Sequence, residues 1–406
     1  MKKKSIIISA VISIVVIVLS IIFTTRTELR LIGNDKIEIT DQDQIDMGES
    51  NVVAMNCVLW FCNDASEDVL IETNAVEGEV GEYLMTYKFK SNELERQIKI
   101  TDTTPPVITL KGDTVVTLKY GDKYLEQGYE VTDNYSKNLD KKIQIDSEFD
   151  STRPGTYTIK YSVADAAGNQ GSAVRTIIVK PQNLYENHTI NSYISELEQY
   201  IKDKKYDVSI GYYDLESGAS YNYRADEIYY GASLIKTADA LYIYEKTEPT
   251  QYAKNLVSRA ISVSDNNAHE ALALKQIGLS NLRNYGAELG LQHFLKDPSS
   301  YYTDTNVNDQ MILWKHLWEF INTNPSGDEL KSYFINTYYN NLIFDSNITV
   351  MHKYGWMYEN YHDAGIVLSE HPYIVVILTR SGYGNFPAVV KDLSARIYQL
   401  SLLSHS

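Results

Sequence analysis

The sequence predicts a multidomain chain with an N-terminal transmembrane helix, two all-β sandwich modules and a C-terminal α+β domain. In that last domain we expect an antiparallel sheet flanked by helices, beside a helical lobe. Three observations predict this organisation. An uncharged apolar run opens the chain, two stretches of short alternating strands resemble each other, and a long region of mixed helical and strand periodicity follows.

Length and composition agree with several folded domains. At 406 residues the chain is too long for one ordinary domain. A hydrophobic content of 44% and a charged content of 22% are typical of globular proteins. The formal net charge of −16 argues against a nucleic-acid partner, because the phosphates would be repelled.

The N-terminus has the features of a membrane anchor. Three lysines follow Met1, and residues 5–25 (SIIISAVISIVVIVLSIIFTT) carry no charge. As a helix this run spans about 30 Å, the thickness of a bilayer core. The lysines should stay in the cytoplasm. We therefore expect residues 1–26 to form a cytoplasmic stub and single-pass anchor in the cell membrane, with the rest of the chain extracellular. A cleaved signal peptide is the alternative, but the run is long and no small-x-small site follows it.

The chain has two cysteines, Cys57 and Cys62, in the stretch CVLWFC. Outside the cell such a pair can form a disulfide. Two half-buried thiols are an equal alternative, because a straight strand would place these positions on opposite faces. A metal site is not predicted, since no matching Cys or His pair accompanies them.

Two stretches of the N-terminal half form an internal repeat. Each ends in a strand-like run followed by proline, and the aligned pairs are Gly33 with Gly112, Gly81 with Gly155, Tyr83 with Tyr157, and Tyr87 with Tyr161. A repeat of this length in a chain of short strands predicts two β-sandwich modules, at residues 27–104 and 105–181.

Residues 185–406 read as one α+β unit. The apolar pattern predicts a helix at residues 190–202, strands at 208–215 and 221–224, and a helical region from Ser233 to about Phe320. Three further strands and a closing helix at residues 389–403 follow. The first and last helices are expected to pack on the same sheet.

The helical region opens with a serine and a lysine at a spacing that suits chemistry. Ser233 and Lys236 stand three residues apart, so on a helix they share a face. A lysine removes a serine proton only when it is itself neutral, which requires a pKa lowered by roughly 3 units from about 10.4. Burial would achieve this, whereas an exposed Lys236 would be a solvated helix residue.

Two further short motifs follow in order. Ser264-Asp-Asn266 lies within the helical region, where a helix N-cap is the ordinary interpretation. Lys353-Tyr-Gly355 begins a predicted strand. Each motif alone is weak evidence for a catalytic site. The interpretation depends on the order of the motifs and on the elements that they are predicted to lie in.

This ordered set resembles the signature of the class A β-lactamases and penicillin-binding proteins, over about residues 190–406. The stretches DTTPPVITLKG and GTYTIKYSVADAAGN are similar to the bacterial Ig-like modules of Gram-positive surface proteins. The second copy resembles that family well, and the first depends on the internal alignment.

The resemblance implies roles for eight residues. Ser233 would be the nucleophile, Lys236 its base, and Ser264 a relay of the proton to the leaving nitrogen. Substrate-binding roles fall to Asn266, which would hold an amide, to Lys353, which would attract a carboxylate, and to Tyr354, Gly355 and Trp356. The backbone N–H groups of Ser233 and Trp356 would form the oxyanion hole.

Three departures from the family pattern bear on activity. Tyr354 stands where the family has Thr or Ser, the segment from Lys236 to Ser264 is short, and residues 291–310 contain no glutamate to activate a deacylating water. Asp297 and Asp304 are the possible substitutes, although loop-turn residues are the ordinary interpretation of both.

The resemblance therefore predicts a membrane-anchored extracellular serine hydrolase, of β-lactamase or DD-peptidase type. It would form an acyl-enzyme with β-lactams or D-Ala-D-Ala peptides of peptidoglycan, with no cofactor and no metal. One alternative is a non-catalytic or sensor-type penicillin-binding surface protein whose Ig-like modules mediate adhesion, and another is a genuine β-lactamase. We interpret the modules as spacers, with contact to the cell wall or another surface protein as the alternative.

Overall fold

The structure is a computed structural model that describes residues 25–46, 51–58, 60–76, 79–298, 300–342, 347–380 and 386–406. The expected membrane helix at residues 5–25 lies outside the described residues except for its last residue. None of the helices within these ranges is both long enough and apolar enough to cross a membrane. The chain divides into two compact units: Met1–Thr114, Glu126–Ser147 and Thr158–Arg175 form the first, and Val115–Leu125, Glu148–Tyr157 and Thr176–Ser406 form the second.

The first module is a sandwich of two sheets. Its strands are β1 (Thr25–Leu31), β2 (Lys36–Thr40), β3 (Val52–Val58), β4 (Phe61–Asp64), β5 (Leu70–Thr73), β6 (Gly81–Phe89) and β7 (Asn92–Thr101). One sheet has the order β1-β3-β4 and the other β2-β7-β6-β5. Alternate side chains of β6 and β7 point inward, so that Met85, Tyr87, Ile98 and Ile100 are buried in one core with Val52 of the facing sheet.

Cys57 and Cys62 form a disulfide. The straight strand assumed for the thiol alternative is interrupted by a turn, and the two cysteines lie directly opposite each other on the paired strands β3 and β4. The two cysteines are therefore on two neighbouring strands of a hairpin, not on opposite faces of one strand.

The second module has the strands β8 (Val107–Leu110), β9 (Val115–Leu118), β10 (Tyr129–Thr132), β11 (Gln144–Ser147), β12 (Gly155–Ala164) and β13 (Gln170–Val179). Its sheets have the orders β10-β8 and β11-β12-β13-β9. Strand β9 pairs in parallel with β13, as β2 pairs in parallel with β7 in the first module. The two modules therefore share a strand plan.

The aligned residues of the repeat make matching contacts. The hydroxyl of Tyr83 donates to the carbonyl of Glu79 at 3.1 Å, and the hydroxyl of Tyr157 donates to the carbonyl of Arg153 at 2.7 Å. Both contacts span four residues. Gly33 and Gly112 both have positive φ, +80° and +72°, where a side chain would be strained.

A buried arginine is repeated as well, and the sequence analysis missed it. Arg96 donates to the carbonyl of Ile32, and Arg175 donates to the carbonyl of Lys111 at 2.9 Å. Each guanidinium also contacts the hydroxyl of the buried tyrosine of its own module, Tyr87 in one and Tyr161 in the other. The sequence does contain this feature, because the last strand of each repeat has an arginine among its inward-facing positions.

The C-terminal region contains one antiparallel sheet of order β15-β14-β20-β19-β18. Its strands are β14 (Val208–Asp214), β15 (Ser220–Tyr223), β18 (Thr349–Met357), β19 (Asn360–Leu368) and β20 (Tyr373–Thr379), and a short ladder joins β16 (Tyr229–Tyr230) to β17 (Asp304–Thr305). The three strands expected after His352 are present.

The helices are α1 (His188–Asp203), α2 (Lys236–Lys246), α3 (Gln251–Ser262), α4 (Asn266–Glu270), α5 (Leu279–Leu289), α6 (Val307–Thr323), α7 (Gly327–Ile335) and α8 (Phe386–Ser404), with a 3-10 turn at Ala232–Ile235 and a π-helical segment at Ala271–Ile277. Asn187 caps α1, its side chain accepting from two backbone N–H groups.

The sheet is covered on both faces. Along β20, Ile374, Val376 and Leu378 pack against the helical lobe, while Tyr373, Val375 and Ile377 pack against α1 and α8. This alternation explains why the run YIVVIL is continuously apolar. The first and last helices share one face of the sheet, as the sequence predicts. Strand β18 lies at the edge of the sheet, against the 3-10 turn that carries Ser233.

Candidate active site

Ser233 lies on a tight turn that precedes α2. The N–H of Gly231 donates to the carbonyl of Thr303 at 2.8 Å, and the N–H of Leu234 donates back to the carbonyl of Gly231 at 3.1 Å. Ala232 has a φ of +46°, a conformation that is strained for a residue with a side chain. The turn leaves Ser233 partly exposed between buried neighbours, so its hydroxyl is open to a ligand.

Lys236, one turn after Ser233, is buried with only 1% of its surface exposed. Its Nζ donates to the carbonyl of Ser264 at 2.8 Å, lies 3.3 Å from the Ser264 hydroxyl, and donates to Oδ1 of Asn266 at 2.7 Å. Of the residues that the structure describes, none makes a hydrogen bond to the Ser233 hydroxyl. The amine thus joins α2 to the Ser-Asp-Asn motif.

The Ser264-Asp265-Asn266 motif has two structural functions. Asp265 is the N-cap of α4, accepting from the N–H groups of Asn267 and Ala268 at 2.8 and 3.2 Å. The ordinary N-cap interpretation is therefore right for Asp265. It does not account for Ser264, whose φ of +57° is strained, or for the contacts that Ser264 and Asn266 make with Lys236.

Lys353 enters the same site from strand β18. Its Nζ donates to the hydroxyl of Ser264 at 3.0 Å and to the carbonyl of Tyr354 at 2.6 Å, and the residue is fully buried. Ser264 therefore lies between two lysine amines. This places a hydroxyl between two proton donors or acceptors, as a proton relay requires.

The two lysines cannot both be charged at low cost. Burial lowers the pKa of Lys236 to about 8, against the opposing attraction of the Asp239 and Asp265 carboxylates. Complete burial, and then the positive charge of Lys236, hold the pKa of Lys353 well below its usual range, while Asp363 opposes this. A ligand carboxylate beside Lys353 would restore its charge.

Gly355 lets strand β18 approach the backbone of Ser233. A Cβ at this position would lie 2.7 Å from the backbone nitrogen of Ser233, closer than real contacts allow. The next residue, Trp356, is 49% exposed on the same strand. The backbone of Lys353-Tyr-Gly355 therefore runs directly beside the N–H group that the oxyanion hole would use.

Tyr354 is buried, and it occupies the position where the family has a smaller hydroxyl residue. Its ring packs edge-on against Tyr339 with centroids 5.3 Å apart, and Lys353 Nζ lies 4.2 Å from its ring centroid. Burial and the neighbouring Tyr339 raise the pKa of Tyr354, while a hydrogen bond with the Ser264 side chain opposes the rise. The Tyr354 hydroxyl thus reaches the site, although its side chain is longer than that of Thr or Ser.

The two acidic residues considered in place of the loop glutamate are both exposed. Asp297 lies in a turn, its carbonyl accepting from the N–H of Ser300. Asp304 pairs with Tyr230 in the short ladder just before the nucleophile turn. Of the two residues, Asp304 is therefore the one whose backbone pairs with the strand that leads to Ser233.

A buried acid–base pair under the site escaped the sequence analysis. Asp239, one turn beyond Lys236 on α2, contacts Nδ1 of His269 at 2.5 Å, and both side chains are fully buried. Each keeps one buried polar atom without a hydrogen-bond partner among the described residues. In the sequence, the pair could have been suspected from Asp239, the one charged residue in the apolar run ADALYIY.

His362 lies within β19, close to the strand that leads to Ser233. Nε2 donates to the carbonyl of Tyr230 at 2.8 Å, and Nδ1 accepts from the N–H of Thr379 at 3.2 Å. Burial lowers its pKa to about 4, so the ring is neutral and fixes the strand that precedes Ser233.

Two groups in the described part of the chain bring ligand atoms close enough to share an ion: Asp102, Asp133 and Asp165, and Glu216, His371 and His405. Neither group includes a residue of the candidate site. The prediction of no catalytic metal stays a prediction.

Two segments match known families. Residues 108–179 match the Ig-like domain of bacterial surface proteins, and residues 243–400 match the β-lactamase enzyme family. The second match includes Ser264, Asn266 and Lys353 but begins after Lys236.

The chain is also similar to solved structures. PBP-A is 19% identical, covering 54% of this chain and 97% of its own, with a TM-score of 0.46. An acyl-enzyme complex of a PBP-A variant with penicillin G is 19% identical over 52% and 96%, with a TM-score of 0.45. A β-lactamase from Sphaerobacter thermophilus is 15% identical over 52% and 98%, with a TM-score of 0.46.

No curated protein matches the chain. The family matches nevertheless include the second and third motifs, in order, and most of the second Ig-like stretch. Residues 108–179 are therefore similar to the Ig-like domains of bacterial surface proteins, and residues 243–400 are similar to the β-lactamase enzyme family.

Proposed function

We propose that the C-terminal domain is a serine acyl-transfer hydrolase that reacts with β-lactams or with D-Ala-D-Ala-terminated peptides of peptidoglycan. The observation that carries the proposal is the convergence on Ser264 of two buried amines, Lys236 Nζ at 3.3 Å and Lys353 Nζ at 3.0 Å, beside the turn of Ser233. The neutral form of Lys236 is accessible, since its pKa falls to about 8.

The reaction would proceed by acyl transfer. Ser233 Oγ forms an ester with the substrate carbonyl while Lys236 takes the hydroxyl proton. The carbonyl C–N bond breaks, Ser264 passes its proton to the nitrogen, and Lys236 gives Ser264 the proton that it took from Ser233. With a β-lactam the nitrogen stays attached through the opened ring, so the adduct carries the full mass of the drug. The N–H of Ser233, with that of Trp356, stabilises the oxyanion.

Intact-protein mass spectrometry with penicillin G tests the acylation. We expect a single adduct of the drug's mass on the wild-type chain and none on Ser233→Ala. Ser195→Ala, an exposed serine on α1, is the matched control and should still be acylated. An adduct that persists on Ser233→Ala, or the absence of any adduct on the wild-type chain, contradicts the proposal.

Slow deacylation is a specific part of the proposal. Residues 291–310 contain no glutamate, and Asp297 and Asp304 are exposed rather than held in the site. We therefore favour a penicillin-binding, peptidoglycan-directed enzyme over an efficient β-lactamase. With nitrocefin we expect one stoichiometric burst, and sustained multiple turnovers would instead support β-lactam hydrolysis.

The sensor-type alternative differs in its response to peptide. A stable penicilloyl adduct without release of D-alanine from a D-Ala-D-Ala peptide would support it. Measurable D-alanine release would eliminate it.

We further propose that residues 5–25 anchor the chain in the cell membrane, with the folded domains outside the cell. The uncharged sequence of this run and the lysines before it support the anchor, and the Cys57–Cys62 disulfide fits an extracellular location. After carbonate extraction of membranes, the full chain should remain in the pellet with an uncleaved N-terminus. A mature N-terminus beyond residue 25 contradicts the anchor.

A further inference from the structure

The hairpin closed by the Cys57–Cys62 disulfide presents large apolar side chains to solvent. Trp60 is 80% exposed, Phe61 is 70% exposed, and Val58 is 42% exposed. The two aromatic rings lie side by side, with centroids 6.3 Å apart. Adjacent exposed aromatic residues of this size indicate an interaction surface, because leaving them in water is unfavourable.

The fold prevents these side chains from turning inward. Val58 pairs with Phe61 across the hairpin, and the disulfide joins the next pair of residues toward the module. On β3, Val52, Ala54 and Cys57 already fill the core of the module. The tip is thus held beyond the core and cannot bury its aromatic rings within its own module.

The pairing of β1 with β3 places this tip beside the start of the folded chain. Thr25, the last residue of the apolar run, is opposite Val58, and Arg26 is opposite Cys57. Neighbouring strands are about 4.8 Å apart. Wherever the apolar run enters the module, the aromatic tip is therefore one strand away.

The chain leaves the module at the other end. Asn92, the first residue of β7, donates to the Thr27 hydroxyl at 2.9 Å, close to the entry point. The strand then runs for 10 residues to Thr101, a rise of about 30 Å. The module therefore has an end that bears the apolar run and the tip, and an opposite end that continues toward the second module.

We propose that Val58, Trp60 and Phe61 insert into the interface of the lipid bilayer that the apolar run spans. This inference rests on the proposed membrane anchor. Tryptophan favours the boundary between headgroups and acyl chains, where its ring is buried and its N–H stays hydrated. Contact at both the anchor and the tip would fix the tilt of the first module on the membrane.

The test uses the full chain in vesicles of phosphatidylcholine and phosphatidylglycerol (3:1), with and without a phosphatidylcholine brominated in its acyl chains. Bromine quenches tryptophan fluorescence only within the bilayer. We expect the brominated lipid to remove up to about a quarter of the emission, since Trp60 is one of 4 tryptophans. Trp60→Phe should abolish this loss, whereas Trp356→Phe, which removes an exposed tryptophan of the C-terminal domain, should retain it.

Flotation of the same vesicles in a density gradient separates the two proposals. If the chain floats but Trp60 is not quenched, the tip inference is overturned and the anchor remains. If the chain does not float, both are overturned. Trp60 could also be shielded from acrylamide in a way that depends on protein concentration, without being quenched by bromine. That result would assign the tip to contact with a second copy of the chain, and it would also overturn the inference.

Discussion

In the proposed reaction, the chemistry at Ser233 depends on the charge of a single lysine. Lys236 is held by Ser264 and Asn266, and burial brings its pKa to about 8. Only the neutral amine can accept the proton of Ser233, so the reactive fraction of the protein increases as the pH rises.

The first prediction is the pH dependence of acylation. With a pKa of about 8, about a tenth of Lys236 is neutral at pH 7 and about nine-tenths at pH 9. The rate of penicillin acylation should therefore rise about tenfold over this range and then level off. Stopped-flow or quench measurements on the wild-type chain give this profile. A rate that is flat or falls with pH would exclude neutral Lys236 as the base.

Asp239 offers a second prediction, because its carboxylate raises the pKa of Lys236. Asp239→Asn removes the charge and keeps an oxygen that can accept a hydrogen bond from His269. The midpoint of the acylation profile should move to lower pH by about one unit. Each variant's rate is scaled to its own plateau, so partial loss of folded protein does not mimic the shift. Glu196→Gln, an exposed acid on α1, is the control, and a shift to higher pH would contradict the prediction.

At the scale of elements, the site is assembled where the edge of a sheet meets the start of a helix. Strand β18 brings Lys353 and Gly355, the 3-10 turn brings Ser233, and the N-terminus of α4 brings Ser264. None of these elements is unusual alone. Their close approach depends on small side chains and on the strained positions at Ala232 and Ser264.

The third prediction concerns the contact between β18 and the nucleophile turn. In Gly355→Ala the new Cβ would lie 2.7 Å from the Ser233 nitrogen, so that N–H group must shift. We expect acylation to slow by about a hundredfold or more, because one oxyanion donor is displaced. Thr349→Ala, an exposed position on the same strand, is the matched control. Normal acylation of Gly355→Ala would show that β18 does not set the geometry of the Ser233 N–H.

For the whole molecule, the repeat of a buried arginine shows that two modules use the same internal support. Arg175 is fully buried and donates to the carbonyls of Asp113 and Lys111, as Arg96 does to the carbonyl of Ile32. Each buried guanidinium thus ties the loop backbone to the last strand of its module.

The fourth prediction separates module stability from chemistry. Arg175→Met should destabilise the second module by about 1–3 kcal/mol, because the backbone carbonyls of Lys111 and Asp113 lose their donor. Its thermal unfolding, followed by limited proteolysis, should shift to lower temperature. Acylation by penicillin should be unchanged, since all candidate site residues lie within residues 185–406. Lys160→Met, an exposed residue of β12, is the control. Loss of acylation together with loss of the module would contradict this independence.

The sequence alone determined the local parts of this protein. Helical spacing placed Ser233 and Lys236 on one turn, alternation gave the strands of the sheet, and the aligned glycines and tyrosines gave the repeated modules. These signals are local, because they depend on periods of about two to four residues and on turn chemistry. The roles that family resemblance gave to the eight site residues stay predictions, and the structure brings Lys236, Ser264, Asn266 and Lys353 into contact.

Only the tertiary structure decided the long-range partners. The contact of Lys353 with Ser264 spans 89 residues, and that of His362 with Tyr230 spans 132. The cysteines are a local case: a hairpin turn, which the strand pattern did not reveal, places Cys57 opposite Cys62 on paired strands. Periodicity reports which face of an element is buried but not what it is buried against. The burial that lowers the pKa of Lys236 therefore appears only when helices and sheet are packed together.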